Sequence, residues 1–162
     1  MVVPLSKQTT DGPDQETPLC YGATWDDGAA QAADARRSVR ALLAHAPRNG
    51  HTVVSPALAM DAELAASELV TNAIRHAPGA CGMLLRMSTQ ELTITVWDSS
   101  TEQPAPKKAD PHRLGGHGLH LVQTVSKKVV VALRATGKLI TAHLPMAPPS
   151  TGSPLLPSTI PH

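Results

Sequence analysis

The chain has 162 residues, 41% of them hydrophobic, and a formal net charge of +1. That length suits one domain with one core, and the near-neutral charge gives no global field to recruit nucleic acid or an anionic membrane. Aromatic residues are only 2% and Phe is missing, so Leu, Val, Ile, Ala and Met must build the core.

Cys20 and Cys81 match no metal or redox spacing, and two reduced thiols are expected. No apolar run approaches the roughly 20 residues needed to span a bilayer. Residues 1–19 are polar, with Pro4, Gly12, Pro13 and Pro18. They read as a disordered leader without a signal-peptide core, and a cytoplasmic protein is expected. Cys20 to Trp25 suits a short strand, since Tyr21 and Trp25 fit a pleated, half-buried surface. Asp26-Asp27-Gly28 then opens a helix, with Asp27 able to accept from the free N–H groups of the first turn. Ala29, Ala32, Ala33, Val39, Leu42, Leu43 and Ala46 keep a helical period up to Pro47. Arg36, Arg37 and Arg40 cluster in its middle, either as a solvated face or as a face that docks a partner.

Arg48-Asn49-Gly50 is a turn, and His51 to Val54 is open between loop and strand. Ser55 at the N-cap and Pro56 at the first helical position predict a long helix from about Pro56 to Ala77, with Asp61 as the alternative start. Pro78-Gly79 stops it. Ala65, Leu69, Ala73 and Ala77 make an apolar stripe, with Val70 and Ile74 beside it. Glu68 and Asn72, four apart, project from one edge of the same helix. A carboxylate beside a carboxamide can serve as a base and a metal-binding oxygen. Spacing alone leaves that reading open against a solvated polar pair.

Two strands follow, Met83 to Met87 and Leu92 to Trp97, the second alternating apolar residues with Thr. The four residues 88–91 between them have hairpin length. Asp98 ends the second strand, and a long loop runs through Lys107 and Lys108 to Pro111. Those lysines are either phosphate contacts or solvated loop residues. Leu114 to Val122 is a Gly-rich turn entering an apolar helix, a place where backbone N–H groups can approach phosphate. Lys127 to Arg134 reads as a strand, Thr136-Gly137 as a turn and Lys138 to Leu144 as a closing strand. Residues 147–162 are rich in Pro and Ser and read as a disordered tail, leaving 20–146 as the domain. This order predicts an α+β fold, a two-layer α/β sandwich with helices on one face of a mixed, mostly antiparallel sheet.

Ser67 to Ala77, SELVTNAIRHA, resembles the N box of the GHKL ATPase superfamily, and its nearest likeness is the anti-sigma-factor serine kinase branch. Val96-Trp97-Asp98-Ser99-Ser100 resembles the G1 box, with Ser100 where that box carries its first glycine. Gly116-His117-Gly118-Leu119-His120-Leu121-Val122 resembles the G2 box, with His117 at a position often held by Arg. Gly137-Lys138 resembles the Gly-Lys near the family's last strand, and Lys138 reads either as a phosphate contact or as an edge-strand lysine. The likeness covers about residues 25–145.

It implies the Bergerat ATP-binding fold, with ATP and Mg²⁺ as cofactors. By resemblance Glu68 is the catalytic base and Asn72 binds Mg²⁺. Asp98 accepts from the adenine amino group, and Gly116, His117, Gly118 and Leu119 wrap the phosphates. The implied activity is a serine/threonine protein kinase that phosphorylates an anti-sigma antagonist and binds a sigma factor, regulating transcription, with a homodimer left open. Two rivals stand beside it. One is a nucleotide-gated interaction module without phosphotransfer, motivated by Ser100 and His117. The other is a DNA-binding regulator, against which the near-neutral charge and lack of a basic stripe speak.

Overall fold

The computed structural model describes residues 18–27, 29–46, 54–77, 79–101 and 118–146. Its organising element is α2 (Pro56–His76), which starts and stops as the sequence predicts. Ser55 Oγ accepts from the Leu58 N–H at 3.1 Å, satisfying one donor of the first turn, and Pro56 lacks the N–H that would otherwise go unpaired there. Leu58, Ala62, Ala65, Ala66, Leu69, Val70 and Ala73 are buried. The small alanines let neighbouring elements come close to the helix backbone, while Leu69 and Val70 fill the space beneath. Burying each of those two side chains contributes about 1.5–3 kcal/mol. Ile74, expected beside the apolar stripe, is instead 44% exposed.

Helix α1 (Ala32–His45) packs along α2 through Ala35, Val39, Leu42 and Leu43. It begins later than Asp27 predicts. Its N-cap is Gln31, without a side-chain cap bond, and the Asp27 carboxylate accepts from the Gly79 N–H at 3.2 Å, across the chain. The arginine cluster keeps the solvated face, with the Arg37 and Arg40 side chains 68% and 62% exposed, and it also tethers α1. Arg40 forks onto both oxygens of Glu63 at 2.9 and 2.8 Å, Arg36 donates to Ser67 Oγ at 2.9 Å, and Arg37 pairs with Asp34. Two of the three therefore tie α1 to α2.

The sheet runs β1 (Leu19–Trp25), β2 (Cys81–Met87), β3 (Glu91–Asp98), β5 (Gly137–Pro145), β4 (Lys128–Arg134), and every pairing is antiparallel. Period two decides which side each residue takes. Met83, Leu85, Leu92, Ile94, Val96, Ile140, Ala142 and Leu144 face the helices and are buried. Thr95 and Thr141 face away and hydrogen-bond across the β3–β5 ladder at 2.9 Å. On that outer face Trp97 lies over Gly82, where a Cβ would stand 2.3 Å from its Nε1.

Helix α3 (Gly118–Val125) falls between β3 and β4 in the chain, and in the sheet β5 fills the place between those two strands. Three helices thus cover one face of a five-stranded open sheet. The C-terminal end of α2, the start of β2, the end of β3 and the start of β5 meet at one end of it. The proposed leader up to residue 17, the tail at 147–162, residues 51–53 and the loop lysines Lys107 and Lys108 lie outside the described residues.

Candidate functional site

Glu68 and Asn72 sit one turn apart in the second half of α2, which carries them toward that end of the sheet. Both are half-buried. Glu68 meets the first residue of α3: a Cβ built on Gly118 would stand 2.3 Å from Glu68 Oε2. Only a glycine at 118 lets the carboxylate take this position, so the N-box helix and the Gly-rich turn meet at one contact. Gly116 and His117 lie outside the described residues. Leu119, read from the sequence as a phosphate-wrapping residue, packs against the hydrophobic core.

Asn72 Nδ2 is buried and has no hydrogen-bond partner. A buried, unpaired amide is costly to leave so, about 1–3 kcal/mol. A carboxamide can turn over to present its NH₂ or its oxygen, so the orphaned arm suits either a phosphate oxygen or a hard cation. Turned over, the carboxamide offers a hard oxygen of the kind Mg²⁺ takes. No group of three or more His, Cys, Asp or Glu poised to hold a metal occurs among the described residues.

Asp98 ends β3 and is 4% exposed. Its Oδ1 accepts from the Ser100 N–H at 2.8 Å, closing the turn that leaves the strand. Its Oδ2 lies 3.3 Å from Lys138 Nζ, with both side chains 2% exposed. β5 is an interior strand, which corrects the edge-strand reading of Lys138; its ammonium is a buried partner of Asp98. Burial, followed by the nearby Asp98 charge, pushes the Cys81 thiol above its ordinary range.

Two glycines fix this corner. Gly137 has φ +153°, and a Cβ there would meet the Asp98 carbonyl oxygen at 1.9 Å. Gly79 has φ +122°, and a Cβ there would stand 3.1 Å from Ser99 Oγ. The turn after α2, the end of β3 and the β4–β5 hairpin thereby close on one another. A cleft opens there, lined by Ala80, Asp98, Ser99, Thr136, Gly137 and Lys138, with Trp97, Leu139 and Arg134 at its outer side. Glu68 and Asn72 are not among the residues lining it. The site has two parts: a charged cleft at the sheet's end and a carboxylate–carboxamide pair on α2 against the start of α3.

The family described as "Histidine kinase-like ATPase domain" matches residues 28–144. The chain belongs to that family, within the GHKL superfamily, and is an ATP-binding domain. Among solved structures it is similar to the histidine kinase domain of the blue-light activated histidine kinase from Erythrobacter litoralis EL346. The identity there is 24% and the TM-score 0.44; the match covers 74% of this chain. This chain spans 66% of that one, just under two thirds. No curated protein matches the chain. No helix among the described residues is long and apolar enough to cross a membrane.

Proposed function

We propose that this chain is an ATP-dependent serine/threonine protein kinase of the anti-sigma regulatory type, with a sigma factor and a phosphorylatable antagonist as its partners. The observation that supports it most is the contact of Glu68 with Gly118: an acid able to act as a base stands where a glycine-opened helix begins. The partner assignment rests on the N-box likeness of Ser67 to Ala77.

In this reading the Glu68 carboxylate takes the proton from a partner's serine hydroxyl as its oxygen attacks the γ-phosphorus. The bond from that phosphorus to the bridging β–γ oxygen breaks, and ADP leaves. Asn72 would hold Mg²⁺, which when bound neutralises phosphate charge. The N-terminal end of α3 favours the same anion. Asp98, oriented by the Ser100 N–H, accepts from the adenine amino group in the cleft. Phosphoryl transfer is chiefly positioning and charge stabilisation, so this small set suffices.

Incubation with γ-labelled ATP and a panel of serine-bearing antagonist proteins tests the reading. Label on a serine of an antagonist supports it. ATP-dependent binding of an antagonist or sigma factor without any label favours the second reading, a nucleotide-gated interaction module. That second reading draws on Ser100, which takes the place of a glycine in the loop after Asp98.

A further inference from the structure

The sheet has two edges, and they are finished differently. β1 is half-buried along most of its length. β4 has five of its seven residues exposed, among them Val130 at 37% and Leu133 at 49%. Between Lys128 and Arg134 it reads Val129, Val130, Val131, Ala132 and Leu133, an apolar run with no charge, proline or glycine in it. Pairing with β5 is unbroken from Lys128 to Arg134, so no bulge twists the edge away. Natural sheets guard an exposed edge with such devices, because unpaired N–H and C=O groups along it are open to another strand. In β4 the middle of the strand has none of these guards, and cations stand only at its ends.

Period two puts Lys128, Val130, Ala132 and Arg134 on the outer face of the sheet, level with Thr141 of β5. Val129 and Val131 turn to the helix side and pack against the core. Lys128 and Arg134 thus share a face, about 20 Å apart along the strand. Neither makes an ion pair among the described residues. The exposed Lys127 adds a cation at the first end.

A second copy suits this edge poorly. Antiparallel pairing of β4 with itself about Val131 sets Lys128 against Arg134 of the other copy, and parallel pairing in register sets each cation against its own kind. Like charges directly opposite each other destabilise a ladder. A segment with carboxylates at those two places meets both charges instead. None of the chain's own stretches outside the described residues has five apolar residues between two acids, and residues 147–162 carry no acid at all.

We propose that β4 is a docking edge for another protein, whose extended segment adds a strand to the sheet and carries five apolar residues between two carboxylates opposite Lys128 and Arg134. Main-chain hydrogen bonds of the new ladder supply the affinity. The charges fix the register, since a slip of one residue carries both carboxylates to the other face. Val130 and Leu133 lose exposed surface to the added strand. The inference stands apart from the nucleotide site.

The probe is the peptide Glu-Val-Val-Thr-Val-Val-Glu, which reads the same in both directions, labelled with fluorescein and titrated with the full chain at low salt. Its anisotropy is expected to rise, and hydrogen exchange of the β4 amides to slow. The same peptide with lysine at both ends is expected to bind about tenfold more weakly or worse, and Lys128→Glu combined with Arg134→Glu to reverse that preference. N-methylation of every valine is expected to abolish binding, because it removes donors of the ladder. No binding of the acidic peptide at millimolar concentration would overturn the proposal. Equal binding of the lysine-ended or the N-methylated peptide would do so as well, as would an unchanged preference in the folded double variant. β4 amides already protected without peptide would also overturn it: protection that grows with protein concentration assigns the edge to a second copy, and protection at every dilution assigns it to a segment of the chain itself. If the double variant does not fold, the peptide series on the wild-type chain decides.

Discussion

Gly118 leaves room for the Glu68 carboxylate: a Cβ at 118 would stand 2.3 Å from Glu68 Oε2. The contact joins α2 to α3 at the point where the proposed base and the proposed phosphate-binding turn must act together. Because the obstructing atom is the far end of a side chain, the fold can yield to an added methyl while the site cannot.

Gly118→Ala is therefore expected to fold with stability close to wild type. Alanine in a helix is favoured over glycine by up to about 1 kcal/mol, which offsets the crowding. Phosphotransfer should fall by roughly tenfold or more, as the displaced carboxylate loses its reach to the hydroxyl. Thermal denaturation beside a transfer assay checks both halves. A large loss of stability with transfer intact would contradict the assignment of this contact.

At Gly137 the obstruction is different. A Cβ there would stand 1.9 Å from the backbone oxygen of Asp98, and φ is +153°, a region that side chains rarely enter. Backbone cannot swing aside, so Gly137→Ala should cost at least about 1–3 kcal/mol. The midpoint of urea unfolding measures it. A midpoint equal to wild type would show that the β4–β5 hairpin does not close on Asp98 as described.

The extent of α2 was legible because its signals are local: a serine cap, a proline in the first turn and a Pro-Gly stop. The strand faces were legible because alternation leaves one assignment that buries Leu92, Ile94 and Val96. What the sequence concealed are contacts between distant segments. Asp27 has the composition of a cap, yet its carboxylate accepts from Gly79, 52 residues away. Arg37 and Arg40 of α1 are solvated as they look, but the bonds of Arg40 to Glu63 and of Arg36 to Ser67 join residues 23 and 31 apart. Lys138 looks like an edge lysine because nothing local reveals that β5 inserts between β3 and β4, opposite Asp98. Glu68, Asn72 and Asp98 were named in advance by motif, whereas the orphaned amide of Asn72 and the glycine gap at 118 required coordinates.

Asn72→Ala removes a buried Nδ2 that has no partner among the described residues, so little stability should be lost, within about 1 kcal/mol. The dependence of ATP affinity on Mg²⁺ should disappear. Titrations with and without Mg²⁺ check this, with circular dichroism to confirm folding. An unfolded variant, or one whose Mg²⁺ dependence persists, would contradict the proposed role.

Whether Glu68 acts as a base in phosphoryl transfer is read most directly from the rate at which Glu68→Gln moves label from γ-labelled ATP to an antagonist serine. The glutamine keeps the shape beside Gly118 and removes the charge and the basicity. ATP affinity should hold or rise slightly, since a carboxylate and a triphosphate repel, while the transfer rate should fall by about 10²–10⁴. A variant that binds ATP and phosphorylates the antagonist at the wild-type rate would show that Glu68 is not the base.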